Sequence, residues 1–240
     1  MISEEQKPPT KSPRVKITRN GPYLVYGSIP ITQQEIATDP QGIPTHWTQL
    51  TEYPTNETCS LCRCGNSAKK PFCDGTHVKI NFDGTETADH EPYLAKPKIV
   101  YGPILRLMDI EELCASARFC HRDGGIWNLI PQSDNPKAHK VACEEAADCP
   151  SGRLAVQNQK TGEIVEPKFS QSIVLIEDPS AGASGPIWIR GGVVVESAKG
   201  ETYKVRNRAT LCRCGKSQNK PFCDSSHYPE EHEPHSGDEQ

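Results

Sequence analysis

The chain lacks any apolar run approaching the roughly 18 residues that a membrane-spanning helix requires. Its first residues, Met1-Ile2-Ser3-Glu4-Glu5, lack the basic and apolar stretches of a secretory signal. Both absences lead to the expectation of a soluble, cytoplasmic protein that does not enter a membrane. Apolar side chains are also scarce. Hydrophobic residues make up 35% and aromatics 6% of the 240 residues, against 21 Pro and 18 Gly, which argues against one large core or long amphipathic helices. Small modules remain, and modules with thin cores often depend on bound metal. Positive charge is not in excess either. The net charge of −4 offers no global attraction to nucleic acid. The basic run Lys7, Lys11, Arg14, Lys16 and Arg19 reads as a solvated arm. No phosphate loop, dinucleotide fingerprint or nucleophile with an orienting base is present, so the sequence points to a carrier and not to an enzyme.

Cysteine, by contrast, is abundant. There are 11, an odd number, and their short spacings favour reduced thiolates that hold metal over disulfides. Cys62, Cys64, Cys73 and His77 are spaced identically to Cys212, Cys214, Cys223 and His227, so the chain builds one metal site twice. Three thiolates and one imidazole suit an iron–sulfur cluster or zinc. One residue between the paired cysteines is fewer than the usual zinc-knuckle spacing, although three Cys and one His remain a legitimate zinc set. If Cys73 opens a helix, His77 lies on the same face four residues later. Asp74 then falls where its carboxylate accepts backbone N–H groups, and Pro71 stiffens the approach. Pro221, Cys223, Asp224 and His227 repeat this arrangement. Arg63, Arg213, Lys70 and Lys220 either tune the sites or are solvated charges.

Both copies resemble the CDGSH-type (mitoNEET-related) iron–sulfur family, whose pattern is C-x-C-x2-S/T-x3-P-x-C-D-G-S/T/A-H. Ser67 and Ser217 match the hydroxyl position, and Ser225 departs from the glycine that Gly75 retains. A Cβ at that position is tolerable if the backbone keeps a negative φ. The resemblance implies two [2Fe–2S] clusters. Each has one iron on two cysteines and the other on Cys plus His: Cys62 and Cys64 with Cys73 and His77, then Cys212 and Cys214 with Cys223 and His227. With three thiolates instead of four the cluster carries one negative charge less, so reduction is easier. Its potential should fall between, or overlap, about −400 mV for plant-type ferredoxins and about −150 to +300 mV for Rieske centres. A histidine ligand also couples the electron to pH and loosens in acid.

Between the copies lies a segment with four cysteines of its own. Cys114 and Cys120 with the distant Cys149-Pro150-Ser151-Gly152 resemble single-cluster ferredoxins of the divergent mono-cluster type. Ala117 stands where the usual middle cysteine would be, which in small ferredoxins goes with a [3Fe–4S] core. Cys143 is a fourth ligand of a [4Fe–4S] core, a disulfide partner or a packing residue. The alternatives here are a mononuclear metal or four thiols without metal. His121, beside Cys120, reads as a surface residue, a ligand or a hydrogen-bond donor to a ligand.

Residues 108–119 and 137–147 read as helices, residues 153–156 and 164–165 as a hairpin, and residues 202–206 as a strand leading to the second motif. Residues 32–47 read as a surface insertion. The expected fold is α+β, with two small β-rich CDGSH-type modules flanking a ferredoxin-like segment. The divisions are an arm (1–20), a first module (21–96), a middle module (97–179), a second module (180–228) and an acidic disordered tail (229–240). The expected function is carriage of electrons, of [2Fe–2S] clusters, or both, with redox partner proteins or apo-acceptors as partners. A metal-stabilised scaffold and a redox enzyme subunit are the alternatives. The two terminal units are expected to pair internally about a pseudo-twofold axis.

Overall fold

The computed structural model describes residues 12–90 and 94–228. The first terminal unit contains β1 (Arg14–Ile17), β2 (Tyr23–Tyr26), β3 (Ile31–Thr38), β4 (Pro44–Tyr53), β5 (Thr58–Leu61) and the one-turn helix α1 (Thr76–Lys79). The middle segment contributes β6 (Lys98–Tyr101), β7 (Leu105–Asp109), α2 (Ile126–Leu129), α3 (Pro136–Asp148), β8 (Leu154–Asn158) and β9 (Ile164–Val165). The second unit follows with β10 (Ser172–Asp178), β11 (Ala183–Arg190), β12 (Val194–Glu196) and β13 (Arg208–Leu211). The fold is α+β, with three sheets and little helix.

The two terminal sheets are copies that exchange a strand. One has the order β12-β1-β2-β5 and the other β13-β11-β10-β3-β4. In each, an antiparallel trio (β1, β2, β5 or β10, β11, β13) is joined at its edge by a parallel strand from the other half: β12 on β1 and β3 on β10. The alternating pattern in β1 and β2 points Val15, Ile17, Tyr23 and Val25 to the same side. There they meet Ile173, Leu175, Ile187, Ile189 and Leu211 in one core shared by both halves. β10 is buried on its other face as well, where Val174 and Ile176 pack with Trp188 and with Ala117 and Phe119 of the middle segment. The sheet β6-β7-β8-β9 packs against α2 and α3 around Leu105, Leu107, Ile126 and Val156. The N-terminus of α3 is capped by Asn135 Oδ1, which accepts from Lys137 N and Ala138 N, with Pro136 in the first turn.

The helix over 137–147 and the hairpin of β8 and β9 agree with the sequence pattern. Several elements differ. Residues 108–119 form no α-helix: Leu105–Asp109 is a strand paired to β8, Glu111–Leu113 is a single 3-10 turn, and Ser116 and Arg118 take positive φ of 51° and 61°, which a helix cannot hold. Residues 32–47 are no insertion but the β3–β4 hairpin, whose first strand fills the edge of the other half's sheet. The strand leading to the second motif begins at Arg208, opposite Arg190 of β11, while Thr202 makes only a single bridge to Glu196. The arm is shorter than 1–20, because Arg14 and Lys16 lie in β1 and both pair with Glu196. Likewise β10 belongs to the second unit's sheet and not to the middle module, since its partners are β11 and β3. The start of the arm and the tail 229–240 lie outside the described residues.

The exchange sets the two motif loops against each other. Gly65 (φ 77°) and Gly215 (φ 81°) hold the contact: a Cβ on Gly65 would lie 2.5 Å from Cys214 O, and one on Gly215 would lie 2.9 Å from Cys64 O. Gly65→Ala should therefore destabilise the fold by about 2–4 kcal/mol, combining left-handed strain with a backbone clash. Gly42→Ala, also at positive φ but facing open space, should cost about 1 kcal/mol. Equal denaturant midpoints for the two variants would contradict the close approach.

Candidate metal centres

Each terminal site is launched by a strand. β5 runs directly into Cys62 and β13 into Cys212. The loop then doubles back, so that Cys62 N donates to Pro71 O (2.8 Å) and Cys73 N to Ser60 O (2.9 Å). The second copy repeats this with Cys212 N to Pro221 O (2.8 Å) and Cys223 N to Thr210 O (2.9 Å). Ser67 Oγ donates to Phe72 O (2.6 Å) and accepts from Lys69 N, and Ser217 does the same with Phe222 O (2.7 Å) and Asn219 N. That is why the motif needs a hydroxyl there. The peptide bonds before Pro71 and Pro221 are cis.

The donors fall into two pairs per site. Cys62 Sγ and Cys64 Sγ are 3.7 Å apart, and Cys73 Sγ lies 3.3 Å from His77 Nδ1. The corresponding distances in the second site are 3.6 and 3.4 Å. Cys73 does not open a helix; α1 starts at Thr76, and a turn at Asp74 brings the pair together instead. The Asp74 carboxylate accepts from Ala68 N (2.8 Å) and Thr76 N (3.0 Å), and the bonds to Thr76 and Ala68 hold its pKa well below the usual carboxylate range. Asp224 accepts from Gln218 N (2.6 Å) and Ser226 N (3.1 Å) in the same way. Backbone amides point at sulfur in both sites: Gly75 N at Cys73 (3.4 Å), Ser225 N at Cys223 (3.5 Å) and Lys216 N at Cys214 (3.4 Å). Burial pushes the Cys223 thiol up, so its thiolate needs a cation beside it. This donor set, with sulfurs already paired and amides turned toward them, fits a cluster.

Arg63 and Arg213 direct their hydrogen bonds to backbone carbonyls, and Arg213 also acts electrostatically on His227. Arg63 is buried and donates to the carbonyls of Thr18, Gly21 and Gly84, whereas Arg213 donates to Ile176 O and Gly185 O and pairs with Glu177. Both clamp their loop to the end of the sheet that launches it. Tyr23, which the sequence did not single out, crosses from the first unit to donate its hydroxyl to Cys212 O (2.8 Å).

The second site is more enclosed. His227 Nε2 is buried without a hydrogen-bond partner, and burial pushes the imidazole down to about 4, with Arg213 acting in the same direction. Ser225 occupies the left-handed region at φ 74°, not the negative φ expected of a residue with a Cβ, and so copies Gly75 at 86°.

In the middle segment the structure draws together Cys114, Cys120 and Cys149. Cys114 follows a 3-10 turn, Cys120 lies in the turn after Phe119, and Cys149 caps the C-terminus of α3. Burial pushes the Cys120 thiol far up, and the charges of Cys149 and Cys114 add to the effect. Arg153 places a positive charge beside Cys114 and Cys120 while its guanidinium pairs with Asp109 (2.6 Å). Cys143 stands apart: it packs on the α3 side of the core, and its thiol is raised by burial and by Glu144 alone. Of the three readings, these surroundings fit a packing residue best. His121 packs at a tilt against Trp127, with ring centroids 5.7 Å apart. Glu145, missed in the sequence, sits fully buried on the same stripe of α3 as Ala138, Ala142 and Ala146, and burial pushes its carboxyl up to about 8. Its place in that i, i+4 stripe was the available signal.

Residues 20–78 and 184–228 match the family model described as iron-binding zinc finger CDGSH type. Residues 100–159 match the model described as divergent 4Fe-4S mono-cluster. Neither the curated proteins nor the solved structures give a match. The matched segments cover all eight terminal ligand candidates and Cys114, Cys120 and Cys149. The chain is thus an iron–sulfur cluster-binding protein, and no helix among its described residues is long and apolar enough to cross a membrane.

Two outcomes follow for the middle segment. Cys143→Ser should leave its iron content unchanged, whereas Cys120→Ser should lower it, as iron analysis reads directly. Glu145 has a folded pKa raised above its unfolded value, so its carboxyl costs stability increasingly as pH rises from about 4.5 through 8. Glu145→Gln should accordingly raise the melting temperature at pH 9 and leave it nearly unchanged at pH 5; an equal effect at both pH values would place the carboxyl in water.

Proposed function

We propose that this chain, which belongs to the CDGSH-type iron-binding family, holds one [2Fe–2S] cluster in each terminal site and a third cluster in the middle site. In this reading it carries electrons, clusters or both between partner proteins. The observation that carries the proposal is the arrangement of donors as two pairs per site, Cys62 with Cys64 and Cys73 with His77, repeated in the second copy. A tetrahedral zinc ion needs four donors converging on one point, whereas a two-iron core takes two donors at each end. Among the described residues no three Cys, His, Asp or Glu side chains draw together as the ligands of a single ion. A bound cluster supplies a one-electron couple.

The protein's own contribution is to position the sulfurs, turn amides toward them and enclose the site. The middle site, with three cysteines and Ala117 in the second-ligand position, suits a [3Fe–4S] core, or a [4Fe–4S] core with an outside fourth ligand. The two terminal units take the place of the two subunits of a dimer, each completing the other's sheet. Transfer to partners is assigned to the first site. Helix α1 and its C-cap present Val78 and Ile80 to solvent at 69% and 46% exposure, with the exposed Lys79 between them. Exposed apolar side chains next to a lysine suit an acidic partner protein.

Anaerobically purified protein should be coloured and contain iron and acid-labile sulfide in near-equal amounts. His77→Cys and His227→Cys should each lower the potential of their own site, because one more thiolate makes reduction harder. Stoichiometric zinc without sulfide would overturn the reading.

A further inference from the structure

The second motif departs from its twin at Ser225, and the structure gives that serine a partner. Ser225 and Ser116 are both non-glycine residues at positive φ, 74° and 51°, and each stands two residues after a cysteine. In that conformation Ser116 N donates to Cys114 Sγ (3.4 Å) and Ser225 N to Cys223 Sγ (3.5 Å). The two hydroxyls then meet: Ser116 Oγ donates to Ser225 Oγ (2.7 Å), and Ser225 Oγ donates to Cys114 O (2.8 Å). The result is a path of three hydrogen bonds, joined through the covalent frames of the two serines, from a middle-site sulfur to a sulfur of the second terminal site. Left-handed backbone at serine costs of order 1 kcal/mol per residue, so two such residues face to face need a compensating interaction.

The surroundings lock this junction. Arg118 pairs with Asp178 (2.5 Å), which is fully buried, and Tyr228, next to His227, donates its hydroxyl to the same carboxylate (2.5 Å). Burial alone would raise the Asp178 carboxyl, but the bonds from Arg118 and Tyr228 outweigh it and hold it below its ordinary value. In the first copy the amide contact is kept, Gly75 N to Cys73 Sγ (3.4 Å), but there is no side chain to extend it. Gly75 stands in place of Ser225, and a Cβ there would touch no atom within 4 Å.

We propose that the middle cysteine site and the second terminal site form one coupled two-centre unit, bridged by the hydroxyls of Ser116 and Ser225, with the first terminal site outside it. The proposal rests on the reading of both sites as cluster sites. Ser116 and Ser225 act as positioning residues, each fixing the amide that faces its own cysteine. An electron shared within the pair leaves one centre oxidised as the other is reduced, and no bond or proton changes hands. Occupancy is coupled as well, since an ordered Cys114 loop holds the loop between Cys223 and His227 in place.

The test uses full-length, cluster-loaded protein, Ser225→Gly, Cys120→Ser and the double variant, each with iron and sulfide analysis. Ser225→Gly restores the residue of the first copy and so folds without strain. In the fully reduced parent protein, where the middle centre is paramagnetic as either a [3Fe–4S] or a [4Fe–4S] core, the electron paramagnetic resonance signal of the second site should be broadened by it. It should narrow in Cys120→Ser, with the first-site signal unchanged in both. Ser225→Gly should speed cluster loss from the second site about tenfold, the equivalent of a lost hydrogen-bonded contact of about 1.4 kcal/mol. Cys120→Ser should do the same, and the double variant should be no faster than either single one, the mark of a shared interaction. If the middle site holds no iron in the parent protein, both the coupling and the three-cluster reading fail. If iron is present but the signals are additive, or the second site's loss rate ignores Ser225→Gly, the coupling alone fails.

Discussion

Reciprocal strand exchange is the constraint on which the placement of every candidate ligand depends. Each terminal trio of strands leaves one edge to be filled, and the filling strand comes from the other half, β12 on β1 and β3 on β10. An unpaired edge carries a row of unsatisfied amides and carbonyls, so neither half is complete alone. The shared core, with Val15, Ile17 and Tyr23 against Ile173, Leu175 and Leu211, then fixes the halves rigidly. Only in that assembly do β5 and β13 aim their cysteine loops at each other, near enough that Gly65 and Gly215 admit no side chain.

Symmetry at the level of strands gives way to asymmetry at the sites. The middle segment packs on the outer face of β10 and β11 through Ala117 and Phe119, which brings the Cys114 loop beside Cys223 and His227. The second site is thereby more enclosed, and the Nε2 of its imidazole is buried. The first site keeps α1 exposed, with no residue buried. One duplicated motif therefore yields an inner centre and an outer one, a division that suits a chain receiving on one side and delivering on the other.

What was legible in the sequence was local. The eight terminal ligand candidates stand out by their repeated spacing, Cys114, Cys120 and Cys149 by resemblance to mono-cluster ferredoxins, and helix α3 is marked by Asn135, Pro136 and its alanine stripe. What escaped was set by contacts distant in sequence. The β3 strand has an ordinary apolar pattern, but nothing near it reveals that its partner is β10, some 140 residues away. The 108–119 stretch has helix-forming composition, yet sheet pairing of β7 to β8 and positive φ at Ser116 and Arg118 prevail over propensity. Ser225 was visible as a departure from its motif. Its meaning required Ser116, 109 residues earlier, to be in view.

The central claim is that His77 and His227 share with three cysteines each the ligation of a two-iron core. Pulsed electron paramagnetic resonance of the reduced protein tests it most directly, by reading nitrogen hyperfine coupling at each terminal centre. The account predicts one strongly coupled nitrogen in each terminal signal, abolished at the first by His77→Cys and at the second by His227→Cys. Terminal signals without a strongly coupled nitrogen, or with one that survives both substitutions, would contradict it.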